Sequence, residues 1–567
     1  MLRVPSVDAT VEMRVVADDR RDARSRFATR ARRFARLVGT VLVLLPPIGG
    51  TARAASRPNI VLLVVDDVRT DDIAHLPRLQ EMLFRSGIEF TRFVAPDALC
   101  GPSRMSILRG QYSHNTGIQN NQRVFAHAYE LGLESSTVAT WLQDAGYATG
   151  LFGKYLNSYG RENGPVRFEH VPPGWSEWYA GIPGSSFGFW LSHDGRIVRY
   201  PEDGPHANDV LAELVVGFVE RHAEHPMFLY VAPGSAHGDA IPAHRHEDAF
   251  ADAEPPRRPS FDEDDVSDKP RWIRRLSHLP VPPPAKQLER YRNRLRSLLS
   301  VEDLLASLMR SLEERGVLDD TYFIFLSDNG YHYGEHRIRR SKATVYDESV
   351  VVPAAIRGPG VPRGDRIEHL VTNGDLAVTI AELAGVAPPE FVDGKSLLPL
   401  LRPDRPSPEV WRRAVPLERL EARTKGDGPS PRFLGLRHER WKYVSYPDTG
   451  EEELYDTVRD PFELQSLHAE AFRACRDVLR AWSRALVRCT GQECRDLEQH
   501  FPARPDRACS DRWSAIAPGL LPWSPATLVT DADDATARLA ACALADHDGR
   551  ATASPGATGP AATSNDQ

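Results

Sequence analysis

Three short runs constrain this chain more than anything else in it: NIVLLVV at 59–65, MFLYVA at 227–232 and TYFIFLS at 321–327. Each is almost continuously apolar and rich in β-branched or aromatic residues. Such a run suits a strand buried on both faces, because a strand with one wet face alternates apolar and polar residues. Helical patterns lie between the runs. The clearest places Leu295, Leu298, Leu299, Leu305, Leu308 and Leu312 along one face and stops at Gly316. Strands alternating with helices predict an α/β fold built on a mostly parallel sheet. In such sheets ligands gather at the carboxyl ends of the strands. The first run ends in Asp66-Asp67, the second is followed by His237, and the third ends in Asp328-Asn329.

The remaining organisation is read from breaks and composition. Arg30, Arg32, Arg33 and Arg36 precede the apolar run 37–45, which Pro46 and Pro47 end before Ala52-Arg53-Ala54. This order predicts a leader over 1–54 and export to the periplasm or the exterior. The run is too short for a stable membrane span. Asp194-Gly195 marks a hairpin beside the main sheet, and the proline- and charge-rich stretch 252–284 reads as a long ordered loop. The break PDRPSP divides a large domain, 55–405, from a small C-terminal one, 406–500, with strand character at 433–446 and a helix near 466–488. An extension, 501–567, ends in a stretch expected to be disordered. The net charge of −8 supplies no basic field for nucleic acid.

Cys100 stands apart: the other five cysteines all lie at or beyond Cys475. In an exported chain thiols tend to pair. Cys489 and Cys494 flank Thr490-Gly491 and are expected to form a disulfide, with Cys475 and Cys509 the candidate second pair. Pro102 suits the first turn of a helix, so Cys100 falls at a helix N-terminus. There the free N–H groups favour an anion and lower a thiol pKa. Arg104, one turn on, adds a forked donor for oxyanions. Asp66, Asp67 and Asp328 are carboxylates at matched strand ends. Two of them at ~4 Å would repel by roughly 4 kcal/mol at an effective dielectric of 20, a cost that a cation removes. With the amide oxygen of Asn329 they make an all-oxygen set suited to Ca²⁺ or, less well, Mg²⁺ rather than zinc. Lys154, Lys342 and His237 add cationic or proton-transferring groups. Each of these residues singly also has a structural reading: a buried thiol, a turn cap, a surface charge.

Cys100-Gly101-Pro102-Ser103-Arg104, followed by Leu108-Arg109-Gly110, resembles the signature of the type I sulfatases, over roughly residues 57–470. The resemblance implies an alkaline-phosphatase-like sandwich, a large mixed sheet between helices, with a small C-terminal α+β domain carrying an antiparallel sheet. It implies that a formylglycine-generating enzyme oxidises Cys100 to formylglycine. The hydrated aldehyde would attack a sulfate monoester beside Ca²⁺ held by Asp66, Asp67, Asp328, Asn329 and the modified Cys100. Arg104, Lys154, His237 and Lys342 match catalytic positions of that family. Asn157 and His332 are candidate substrate-binding residues; Leu156 stands where many members have histidine. GKYLN (153–157) and the 257–274 stretch look most like the N-acetylglucosamine-6-sulfatase and arylsulfatase branch, so the implied substrate is a small or oligosaccharide sulfate ester. The alternatives are a phosphonate or phosphate monoesterase on the same fold, and a secreted binding protein that keeps the Cys100 thiol.

Overall fold

The three apolar runs are strands, and a fourth joins them in a parallel core. A computed structural model of the protein describes residues 57–160, 169–181, 186–238, 240–421, 430–469, 471 and 473–501. The expected leader lies outside these residues, as does nearly all of the C-terminal extension, with Cys509 and Cys542. In chain order the central strands are β1 (Asn59–Val65), β2 (Ala148–Lys154), β3 (Met227–Ala232) and β4 (Thr321–Ser327). They lie side by side as β2-β3-β1-β4, all parallel, with Val61 opposite Leu229 on one side and Phe323 on the other.

Ile60 through Val65 are each at most 3% exposed, which is why this run carries no polar alternation. Burying each such side chain fully stabilises the fold by about 1.5–3 kcal/mol. Their contacts do alternate. Ile60, Leu62 and Val64 face a core that includes Met105, Ile107 and Leu108 of helix α1 (Cys100–Arg109). Val61, Leu63 and Val65 face the other core, with Leu298, Val301 and Leu305 of the long helix α2 (Ala285–Glu314). The two helices therefore lie on opposite faces of one sheet.

Beyond β4 the sheet turns mixed. Val351–Arg357 and then Ile88–Val94 are added antiparallel, and short parallel strands close that edge. On the far side Glu177–Gly181 runs parallel to β2, followed by the antiparallel hairpin Trp190–His193 and Arg196–Arg199. Asp194 (φ 50°) and Gly195 (φ 84°) both take the left-handed conformation that a two-residue hairpin turn requires. The 252–284 stretch is mostly irregular, with one turn of helix at Arg271–Arg274.

A second, antiparallel sheet follows: Ala414–Arg419, Phe433–His438, Trp441–Tyr446 and Glu451–Asp456, in that order. Val415, Leu417, Phe433 and Val444 share one core with Val94, Ala98, Val345 and Tyr346 of the larger part. Helices Arg473–Leu486 and Gln492–Gln499 complete this part, the first beginning several residues later than its sequence pattern indicates. The Cys489–Cys494 disulfide is formed, and Cys475 is also disulfide-bonded. No described helix is long and apolar enough to cross a membrane.

Candidate active site

The carboxyl ends of β1 and β4 lie next to one another, so Asp66-Asp67 and Asp328-Asn329 meet. Successive residues of a strand point to opposite faces. Asp66 and Asp67 converge because Asp67 leaves the extended conformation, at φ 60°. Its N–H then donates to Asp328 Oδ1 at 3.1 Å, and the Val68 N–H donates to Ser327 Oγ at 2.7 Å. Helix α1 brings Cys100 to the same place. Leu99 is its N-cap and gives no side-chain cap; the Gly101 N–H donates instead to Asn121 Oδ1 at 2.9 Å. Oxygens of Asp66, Asp67 and Asp328 and the Cys100 Sγ all lie within 4.8 Å of one another.

Cations surround the cluster. Arg104 Nε donates to Asp328 Oδ2 at 2.9 Å, and its Nη2 lies 3.6 Å from Asp66 Oδ2. Lys154, at the end of β2, pairs with Asp66. Lys342 pairs with Asp67 and reaches Cys100 Sγ at 2.7 Å. Burial raises the Asp66 carboxyl, but Lys154, His237, Arg104 and Lys342 together outweigh it and hold it well below the usual range. At Asp328 burial and the Asp66 charge win over the cations, and its pKa rises. Burial opposes the charge of Lys342, yet Asp67 and its neighbours hold its pKa well above the ordinary value. At His237, Asp66 favours the charged form. Burial, Lys342 and Lys154 oppose it, and the net direction is down.

Cys100 itself corrects the expectation of a lowered thiol pKa. Burial, followed by the Asp66 charge, pushes it up to about 12 despite Lys154 and Lys342. The field of a helix N-terminus is smaller than the cost of placing a thiolate in this interior.

The donor set fits a hard cation. Asn329 donates its Nδ2 to Asp67 Oδ1 at 2.7 Å, while its own Oδ1 is buried without a partner. A lone buried acceptor beside three carboxylates is a place where a cation would satisfy several groups at once. Arg104 Nη2 and His237 Nδ1 are likewise buried with no hydrogen-bond partner, and an oxyanion and a proton-sharing oxygen respectively would satisfy them. Beside Lys154 and His237 opens a solvent-facing cleft, lined also by Phe189, Leu191, His206 and Leu211.

Two expected residues sit differently. His332 is fully buried, with Nε2 2.7 Å from Thr344 Oγ1 and Nδ1 3.7 Å from Glu335; burial lowers its pKa to about 3. Among the described residues its ring is held by Thr344 and Glu335, not by the carboxylate cluster. Asn157 has a buried Oδ1 without a partner, and its carbonyl accepts from the Phe125 N–H. Sequence reading passed over Arg294, which reaches the Asp67 carbonyl from α2. One signal was available: Arg294 shares its helix face with Leu298, Val301 and Leu305, where a charge needs a buried partner. Arg109 is clamped to the carbonyls of Leu133 and Ser136 at 2.8 and 2.7 Å and stacks on Phe391.

Comparison with known proteins supplies the family. The chain matches the sulfatase family model over residues 58–386 and the model of the N-sulphoglucosamine sulphohydrolase C-terminal region over 334–488. It belongs to the sulfatase family and is a sulfatase. It is 33% identical over 513 residues to an arylsulfatase of Volvox carteri, covering 78% of this chain and 76% of that one. It is 34% identical over 384 residues to the N-acetylglucosamine-6-sulfatase of Homo sapiens, covering 65% and 68%. The fold is similar to a solved structure described as BT4656 in complex with its substrate D-glucosamine-2-N, 6-O-disulfate. That match has a TM-score of 0.64 and 22% identity, over 78% of this chain and 99% of that one. It is also similar to the phosphonate monoester hydrolase from Silicibacter pomeroyi, with a TM-score of 0.59 and 22% identity, over 76% and 94%.

Proposed function

We propose that this sulfatase hydrolyses sulfate monoesters of sugars or aryl alcohols by way of formylglycine formed at Cys100. The observation that carries the reading is the convergence of three carboxylates, Cys100 and the cations Arg104, Lys154 and Lys342 at one pair of strand ends. Cys100, oxidised by a formylglycine-generating enzyme in the exporting cell, supplies an aldehyde whose hydrate carries both the attacking hydroxyl and the hydroxyl that later expels sulfate. Asp66, Asp67, Asp328, Asn329 and the modified Cys100 are the ligands for Ca²⁺, with Mg²⁺ the poorer fit. When bound, the ion supplies Lewis-acid activation of the attacking hydroxyl and neutralises sulfate charge.

The chain's own residues do the rest. Arg104, Lys154 and Lys342 hold the sulfate oxygens as charge develops on them. His237 or Lys342 gives a proton to the leaving oxygen. The cleft beside Lys154 and His237 takes the body of the alcohol; Phe189, Leu191 and Leu211 give it an apolar wall that suits an aryl ring or the apolar face of a sugar. Asn157 is the further candidate for contact with that body, and His332, buried against Thr344 two residues after Lys342, for orienting that segment.

The test is a side-by-side assay of an aryl sulfate, the matching aryl phosphate, an aryl phosphonate and N-acetylglucosamine-6-sulfate, with the mass of the Cys100 peptide measured on the same preparation. The expected result is highest kcat/KM on sulfate esters and an aldehyde at Cys100. A preference for phosphate or phosphonate, or full activity with only the thiol present, overturns the reading. Turnover of the aryl ester with none of the sugar removes only the sugar as substrate.

A further inference from the structure

Arg294 lies outside the catalytic cluster and touches neither Cys100 nor the carboxylates of Asp66 and Asp328, yet it is 2% exposed in the middle of α2. It reaches over the end of β1 from the face of the sheet opposite α1. Its Nη2 donates to the carbonyl oxygen of Asp67. Nε and Nη2 both donate to Asp72 Oδ2, at 3.1 and 2.9 Å, and that same oxygen accepts the Arg69 N–H at 2.9 Å. Nη1 lies 3.4 Å from the carbonyl of Ala236, the residue before His237. The guanidinium packs over the Tyr331 ring, with its carbon 5.2 Å from the centroid.

These contacts bear on a specific problem. Asp66 and Asp67 serve one site only because Asp67 is held at φ 60°, which an L-residue other than glycine adopts at a cost. On the N-terminal side of that turn, Asp67 N–H is tied to Asp328. On its C-terminal side the carbonyl is tied to Arg294. We infer that Arg294 is the positioning residue that holds Asp67 in its left-handed turn and so sets the affinity of the carboxylate cluster for Ca²⁺. This rests on the proposed metal site. Lysine in its place could keep the charge, but a single ammonium cannot span the Asp67 carbonyl, Asp72 and Ala236 as the planar fork does.

The experiment is calorimetric titration of Ca²⁺ into the full-length protein and its Arg294→Lys and Asp72→Asn variants, with kcat/KM measured against Ca²⁺ concentration. Outer partners of metal ligands change affinity by about 10- to 100-fold, and Arg294→Lys is expected to weaken Ca²⁺ binding by that much. Saturating Ca²⁺ should return its kcat to within about threefold of native. Asp72→Asn should weaken binding less, and the double variant should match Arg294→Lys alone, because both changes act through one carbonyl. Native-like Ca²⁺ affinity in Arg294→Lys overturns the inference, as does lost activity that saturating Ca²⁺ fails to restore. If Arg294→Lys does not fold, Asp72→Asn decides by the same two criteria. Absence of Ca²⁺ binding by the native protein overturns the metal reading and this inference together; binding that is equal in native protein and variants overturns this inference alone.

Discussion

In the proposed reaction Lys342 and His237 are the two candidate proton donors, and their surroundings differ. Lys342 is fastened to Asp67 and Cys100, whereas His237 Nδ1 is buried without a partner. A proton donor matters most when the leaving group is a poor one. The variant whose kcat loss shrinks on going from a sugar sulfate to a nitrophenyl sulfate therefore identifies the donor. An equal loss on both esters assigns that residue to sulfate binding. Arg104→Lys keeps a charge but loses the fork that joins Asp328 to the Lys154 carbonyl. We expect kcat/KM to fall by about 10²-fold, the usual effect of losing one preorganised donor, with little change in melting temperature. Gly153 shows how local backbone places Lys154. It sits at φ 107°, and a Cβ there would lie 2.1 Å from the Ala232 carbonyl oxygen. Gly153→Ala should destabilise by roughly 2 kcal/mol or more, seen as a lower denaturant midpoint, because β2 must move away from β3.

At the scale of elements, the helix carrying Cys100 leads into a short turn of helix, Ser113–Thr116, that is pinned to the C-terminal part of the chain. His114 Nδ1 lies 2.7 Å from Glu418, on the first strand of the second sheet, and Nε2 lies 3.0 Å from the Cys489 carbonyl at the disulfide. Both partners accept, so the imidazolium donates at both ends. Burial lowers the His114 pKa, but Glu418 outweighs it and raises it from 6.5 to about 9. A pKa raised on folding stabilises fully below the unfolded value and loses that contribution as pH climbs through the folded value. The clamp should therefore contribute on the order of 3 kcal/mol at pH 6, fading between about 6.5 and 9 as the proton is lost. His114→Ala should lower stability much more at pH 6 than at pH 10 in denaturant titrations. The loop at 257–274 acts similarly on the other flank. Glu263 accepts from His336 Nδ1 at 2.7 Å and pairs with Lys269 at 3.0 Å, so its charges are interior partners of the segment leading to Lys342.

Over the whole molecule, the two sheets share a core in which Val94, Ala98 and Tyr346 pack with Val415, Phe433 and Val444. Removing residues after 405 would expose that surface. We expect the truncated chain to be insoluble or unfolded, and the intact chain to melt in one calorimetric transition; a soluble, natively melting 55–405 fragment would contradict this. The parallel core was legible in the sequence because continuous apolar runs have one stable use, a strand covered on both faces. The candidate site was legible in part because polar residues at the ends of such strands are ligand positions whatever lies around them. Cys100 and Pro102 marked their helix for an equally local reason. What the chain order could not carry was distance across elements. That Arg294 from one face of the sheet and Cys100 from the other meet at the Asp66-Asp67 turn depends on strand order and helix packing. The direction of the Cys100 pKa depended on burial, which no local motif encodes. The sequence by itself determined the strands, the polar residues at their ends and the chemistry those residues can offer. The tertiary structure alone decided which of them touch and which are desolvated, because hydrogen bonds and charge interactions act across a few ångströms of space, not along the chain.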